Sequence, residues 1–231
     1  MIYVAAADAC DFSANDIKIN ETVKKRIEKS SSEGEKKLRA VAYHALFLLL
    51  ERFVKDGFCS IQNLELFYTG EGKPFFQFKD FENNSLQKPP SISVSHDKNL
   101  AIAVISDSER IGVDVQGAAL PKRRMERVAA RFFSPIKNVE KAGRIEDEIK
   151  WFSAKGAGLS EKEVGKDIKE LGEADGAIDF LAKWTKLEAV IKASGGGFLD
   201  YPNLEELLSV TETKAFVLSK DKEEYVVTVA K

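Results

Sequence analysis

Asp114 and Gln116 stand two positions apart in Ile111-Gly112-Val113-Asp114-Val115-Gln116. As a strand, this run puts Ile111, Val113 and Val115 on one face and the carboxylate and amide on the other. Two oxygen-bearing side chains on one face suit a hard cation such as Mg2+. A strand with one wet face has the same pattern. Trp184, Glu188 and Lys192 recur at steps of four, which places them on one helix face just before Gly195-Gly196-Gly197. Glu four residues before Lys is also a common surface ion pair. Ser93-Val94-Ser95-His96 reads as a strand running into a turn at His96, and its hydroxyl and imidazole groups can donate to phosphate. Adjacent Ser and His without a Gly-x-Ser-x-Gly elbow argue against a serine hydrolase. Gly72-Lys73-Pro74 presents a lysine in a turn, and no Walker A loop or GxGxxG run accompanies it. His44, the only other histidine, lies within an apolar helix and reads as structural.

The elements that would carry these groups follow from periodicity. Ile2 to Ala7 reads as a strand and Glu21 to Lys29 as a polar helix. Glu35 to Phe53 is a long helix whose Ala42, Ala45, Leu46, Leu49 and Phe53 share a face. Strands are expected at Leu64 to Tyr68, Ser91 to Ser95, Leu100 to Ile105 (apolar throughout, so buried on both faces) and Ile111 to Val115. Pro121 to Ser134 reads as a helix, and the charged stretch Lys137 to Asp175 as mobile helices and loops. Ala177 to Ser194 reads as a second long helix. Strands at Lys214 to Ser219 and Glu224 to Ala230 close the chain. The expected class is α+β: two similar subdomains, 1–110 and 111–231, each a long helix on a small antiparallel sheet, with a site in the cleft between them.

Composition narrows the classes. Lys plus Arg number 35 against 37 Asp plus Glu, a net charge of -2, which marks no nucleic-acid binder. Cys10 and Cys59 show no metal-ligand spacing and read as reduced thiols. Met1 to Asp8 lacks the basic start of a signal peptide, and the apolar block from Val41 to Leu50 is too short to span a membrane. A cytoplasmic protein with no membrane or nucleic-acid partner is expected.

The order and spacing of Gly72-Lys73-Pro74, Ser93 to His96, Ile111 to Gln116, Arg131-Phe132-Phe133-Ser134 and Trp184 to Gly197 resemble the Sfp-type 4'-phosphopantetheinyl transferases. The resemblance implies a monomeric pseudo-dimer of two α+β halves. It implies an Mg2+-dependent transfer of the phosphopantetheine arm of coenzyme A to a serine of an acyl or peptidyl carrier protein. Asp114, Gln116 and Glu188 would hold the metal, Glu188 would activate the serine, and Lys192 would neutralise phosphate charge. Arg39, Lys73, Pro74, Ser95 and His96 would hold coenzyme A, with Lys36 or Lys37 as alternatives to Arg39. On that reading Lys192→Ala should leave the melting temperature nearly unchanged. Lys122, Arg123, Arg124 and Arg127 would face an acidic carrier. Gln116 departs from the family's Glu, and Leu187 stands where the family carries Lys. The alternative implied by Gln116 is a non-catalytic relative that binds coenzyme A or a carrier.

Overall fold

The computed structural model describes residues 1–59, 64–78, 88–119, 121–130, 143–161, 167–173, 176–196, 204–220 and 222–231. Its architecture is α+β, and two sheets packed face to face form its centre. In the first sheet, β1 (Ile2–Asp8) lies between β5 (Leu100–Ser106), antiparallel to it, and β8 (Ile149–Lys155), parallel to it. β4 (Ser91–Asp97) forms one edge and β9 (Gly158–Ser160) the other. In the second sheet the order is β10 (Ile168–Glu170), β11 (Glu212–Lys220), β12 (Glu223–Ala230) and β6 (Gly112–Gly117), and the short β7 (Gly143–Arg144) pairs with β11.

Alternation along β1 divides the core. Ile2, Val4 and Ala6 join Leu100, Ile102 and Val104 against Val113, Val115, Val227 and Val229 of the second sheet. Tyr3, Ala5 and Ala7 face the other way, with Ala101, Ala103 and Ile105, against α2 (Glu33–Lys55). Four alanines on that face leave room for the helix to lie close. The predicted apolar face of α2 is buried: Ala42, Ala45, Leu46, Leu49 and Phe53 have no exposed surface. Ser32 caps α2 by accepting the Glu35 N–H, as the Ser-x-x-Glu spacing favours. The shorter α1 (Glu21–Ile27) starts at the Asn20 cap. On the outer face of the second sheet, α4 (Gly176–Ser194) buries Leu187, Ala189, Val190 and Ile191 beside α5 (Leu204–Ser209). The Thr185 hydroxyl meets that of Thr228 on β12 at 2.7 Å, which satisfies both buried groups. The order of layers is helix, sheet, sheet, helix.

Several local readings change. β4 runs through Asp97, so His96 lies on a strand and not in a turn; the turn is Lys98-Asn99, with Lys98 at φ 51°. Pro74 opens an unpredicted strand, β3 (Pro74–Phe78), paired with β2 (Leu64–Tyr68). The stretch read as mobile helices and loops supplies β7, β8, β9 and β10. β7, β9 and β10 have two or three residues each, too few to show a period. α3 is described as Lys122–Val128, and the Arg131-Phe132-Phe133-Ser134 motif and Gly197 lie outside the described residues. After residue 111 the chain thus returns to the first sheet through β8 and β9. His44 secures that return as a buried structural histidine. With its proton on Nε2 it donates to the Gly156 carbonyl at 2.7 Å and accepts the Lys18 N–H on Nδ1 at 3.2 Å.

Candidate functional site

The seam between the sheets runs along β4 and β6. Among the described residues the outer edge of β6 has no strand partner, and side chains of β4 take that role. Ser93 Oγ, Ser95 Oγ and Asp97 Oδ2 accept the backbone N–H groups of Val113, Val115 and Gly117 at 3.2, 3.4 and 2.8 Å, each pair 20 residues apart. This parallel ladder has side-chain oxygens on one side and amides on the other. It fixes the register of the two sheets, and hence the position of Asp114 beside Ser95.

α4 meets β6 at Gly112. A Cβ there would overlap the Ala189 carbonyl oxygen and lie 2.5 Å from the Ala193 nitrogen, so only glycine admits the helix this close. The approach delivers Lys192 to Asp114. Its Nζ donates to Asp114 Oδ1 at 2.6 Å and to Ser95 Oγ at 3.0 Å, while Ser95 Oγ donates to the same Oδ1 at 2.8 Å. The Asp114 side chain is 4% exposed and that of Lys192 32%. Lys192 therefore pairs across elements. Among the described residues two of its three ammonium protons are engaged, which leaves the third for a ligand.

Above this triangle opens a cavity of about 350 Å3, lined by Arg39, Ser95, His96, Asp114, Gln116, Glu188 and Lys192. Seven of the predicted site residues, from α2, β4, β6 and α4, thus meet in one space. Arg39 gives one nitrogen to Glu35 at 2.6 Å, and its Nε is buried with no hydrogen-bond partner among the described residues. Burial first, then the charges of Arg39 and Lys192, hold the His96 pKa below the usual histidine value. With Arg26, four cationic or basic groups line one space, which suits an anion such as phosphate.

Lys73 and Pro74 are not on the lining. Gly72 is, held at φ 89° in a turn closed by the Thr69 carbonyl. Lys73 donates instead to the Ala193 carbonyl near the end of α4, at 3.0 Å, and burial lowers its pKa to about 8, with Arg110 adding a smaller push. Pro74 is buried as the first residue of β3. Lys36 pairs with Glu33, and neither Lys36 nor Lys37 lines the cavity. The lining includes three residues that the sequence reading passed over: Arg26, Ile27 and Tyr43. Asp97, read as a turn residue, bonds both Gly117 and Gln116. The parity that joins Asp114 to Gln116 also joins Ser93, Ser95 and Asp97, and this was the available signal.

Among the described residues, no three His, Cys, Asp or Glu side chains gather as a metal site. Two carboxylates and the Gln116 amide do line the same cavity. This donor set is oxygen only and fits a hard cation that completes its shell with water and ligand oxygens. No protein-family model and no curated protein sequence matches the chain. Among the described residues, no helix is long and apolar enough to cross a membrane.

Proposed function

We propose that the chain is a cytoplasmic, Mg2+-dependent transferase. It would move the 4'-phosphopantetheine arm of coenzyme A to a serine of an acyl or peptidyl carrier protein, as the resemblance to the Sfp-type enzymes implies. The observation that carries the reading is the shared cavity lined by Arg39, His96, Asp114, Gln116, Glu188 and Lys192. The strand paths β4–β5–β1 and β11–β12–β6, each with one long helix on its outer face, support two copies of one unit.

Asp114, Glu188 and the Gln116 oxygen would hold Mg2+, which would supply Lewis-acid charge to the pyrophosphate. Arg39 and His96 hold phosphate through charge-assisted donation, and the Arg39 Nε gains an acceptor. Lys192 keeps two protons on Asp114 and Ser95 and offers its third to phosphate. Glu188 takes the proton of the carrier serine. The serine oxygen bonds to the β-phosphorus, the bond from that phosphorus to the bridging oxygen breaks, and 3',5'-ADP leaves. Positioning and charge neutralisation supply most of the catalysis in such transfers. Lys73, bonded to Ala193, holds the β2–β3 hairpin against α4 in this scheme and does not touch coenzyme A. Arg123 and Arg127, one turn apart and exposed on α3, face an acidic carrier.

A second reading, a coenzyme A or carrier binding protein without turnover, is favoured by one observation. The 2.6 Å pair of Lys192 with Asp114 already occupies one oxygen of that carboxylate. The test is incubation with coenzyme A, Mg2+ and a panel of apo carrier proteins, followed by intact mass. A carrier that gains the arm, with loss of the gain on Mg2+ chelation, supports the transferase. Coenzyme A binding with no carrier modified favours the second reading.

A further inference from the structure

The Gln116 amide has a partner of its own. Its Nε2 donates to Asp97 Oδ2 at 2.6 Å, and the Gly117 N–H donates to the same oxygen at 2.8 Å. A carboxylate only accepts, so the amide must present its nitrogen to Asp97 and turn its oxygen away. Gln116 lines the cavity and Asp97 does not. We propose that Asp97 is a positioning residue, which locks Gln116 with its carbonyl oxygen toward the cavity shared by Asp114, Glu188 and Lys192.

The backbone makes the lock stiff. Asp97 is the last rung of the ladder between β4 and β6, so Gly117 holds its carboxylate in place whichever way the amide turns. A Cβ at Gly117 would come within 3.2 Å of Asp97 Oδ2 and 3.0 Å of Lys98 Cε, so this rung leaves little room to shift. Positions 97 and 116 therefore form a matched donor and acceptor pair. A glutamine at position 116 needs an acceptor at position 97, and a glutamate in its place would need a donor there. The negative charge stands behind the amide and polarises its oxygen instead of facing the cavity.

This inference rests on the proposed cation site, and its test separates the two. Five proteins are compared: wild type, Asp97→Ala, Asp97→Asn, Gln116→Glu and the double variant Asp97→Asn with Gln116→Glu. Melting temperature is measured without metal, and Mg2+ affinity by calorimetry with coenzyme A present. Gln116→Glu alone sets two carboxylates against each other and lowers the melting temperature by roughly 3–8 °C. The double variant recovers most of that loss. The amide introduced at position 97 can accept from Gly117 through its oxygen and donate through its nitrogen to the carboxylate introduced at position 116. Asp97→Asn alone keeps an oxygen where Gly117 and Gln116 both donate, so it melts near wild type and holds Mg2+ as wild type does. Asp97→Ala removes that acceptor, lets the amide turn, and weakens Mg2+ by roughly tenfold or more. Additive melting shifts across wild type, Asp97→Asn, Gln116→Glu and the double variant overturn the pairing. Coupled shifts with Mg2+ affinity equal in wild type and Asp97→Ala overturn the positioning role. Carrier modification by wild type, measured separately, decides whether the transferase reading stands.

Discussion

Lys192 and Asp114 show what pairing across elements adds to the chemistry of single residues. A helix-face reading expects Lys192→Ala to leave stability nearly unchanged. The pair reverses that expectation, because Asp114 would stay buried without its ammonium. Lys192→Met should cost roughly 2–4 kcal/mol by denaturant unfolding, below the loss for a fully buried pair because Lys192 is partly exposed. Asp114→Asn combined with Lys192→Met should cost less than Lys192→Met alone, since no charge is then stranded. His96 carries the pH dependence. Its folded pKa lies below the usual value, mainly through burial, so the unfolded chain binds its proton more readily. Stability is therefore lost as pH falls through about 6.5 toward the folded value, and the loss levels off below both. Melting curves from pH 8 to pH 5 should show a shallower acid slope for His96→Gln than for wild type. An identical slope would remove His96 from this account.

Among the elements, the long helices and the buried strands were legible because each holds enough residues to show its period. Leu100 to Ile105 reads as buried on both faces, and every residue of β5 is buried. The polar face of β6 was legible from parity alone, and its Asp114 proves buried under Lys192 and not wet. What single residues cannot show is which edge meets which. Nothing local says that Ser93, Ser95 and Asp97 will bond the amides of a strand 20 positions on. Lys73 reads as a turn residue free to meet phosphate, but the fold seats its amine on α4. Gly112 reads as an ordinary strand glycine until α4 is packed against it. Gly112→Ala should push α4 away from β6 and cost about 1–3 kcal/mol or more. On the proposed transferase reading it should also lower turnover beyond what the residual stability explains, because Lys192 is drawn from Asp114. Wild-type stability in Gly112→Ala would mean that the helix tolerates the added methyl group.

At the scale of the molecule, the two sheets share one core. Ile2, Val4, Ile102 and Val104 pack directly on Val113, Val115, Val227 and Val229, so each sheet supplies half of the apolar layer at this interface. The whole chain should therefore unfold in a single calorimetric transition. A fragment of residues 1–110 would expose one side of this core and should lack cooperative melting. Two resolved transitions in the intact chain would show that the sheets are independent. Strand order has a further consequence during synthesis. β1 is made well before both of its neighbours, β5, about a hundred residues later, and β8, later still. β1, apolar on both faces, has two unpaired edges until β5 leaves the ribosome and one open edge until β8 follows. Closure of so distant a pairing is slow, and the open strand invites association with other chains. Ribosome-arrested chains ending before residue 149 should accordingly depend on chaperones and be sensitive to protease within β1, while chains long enough to release β8 should gain protection there.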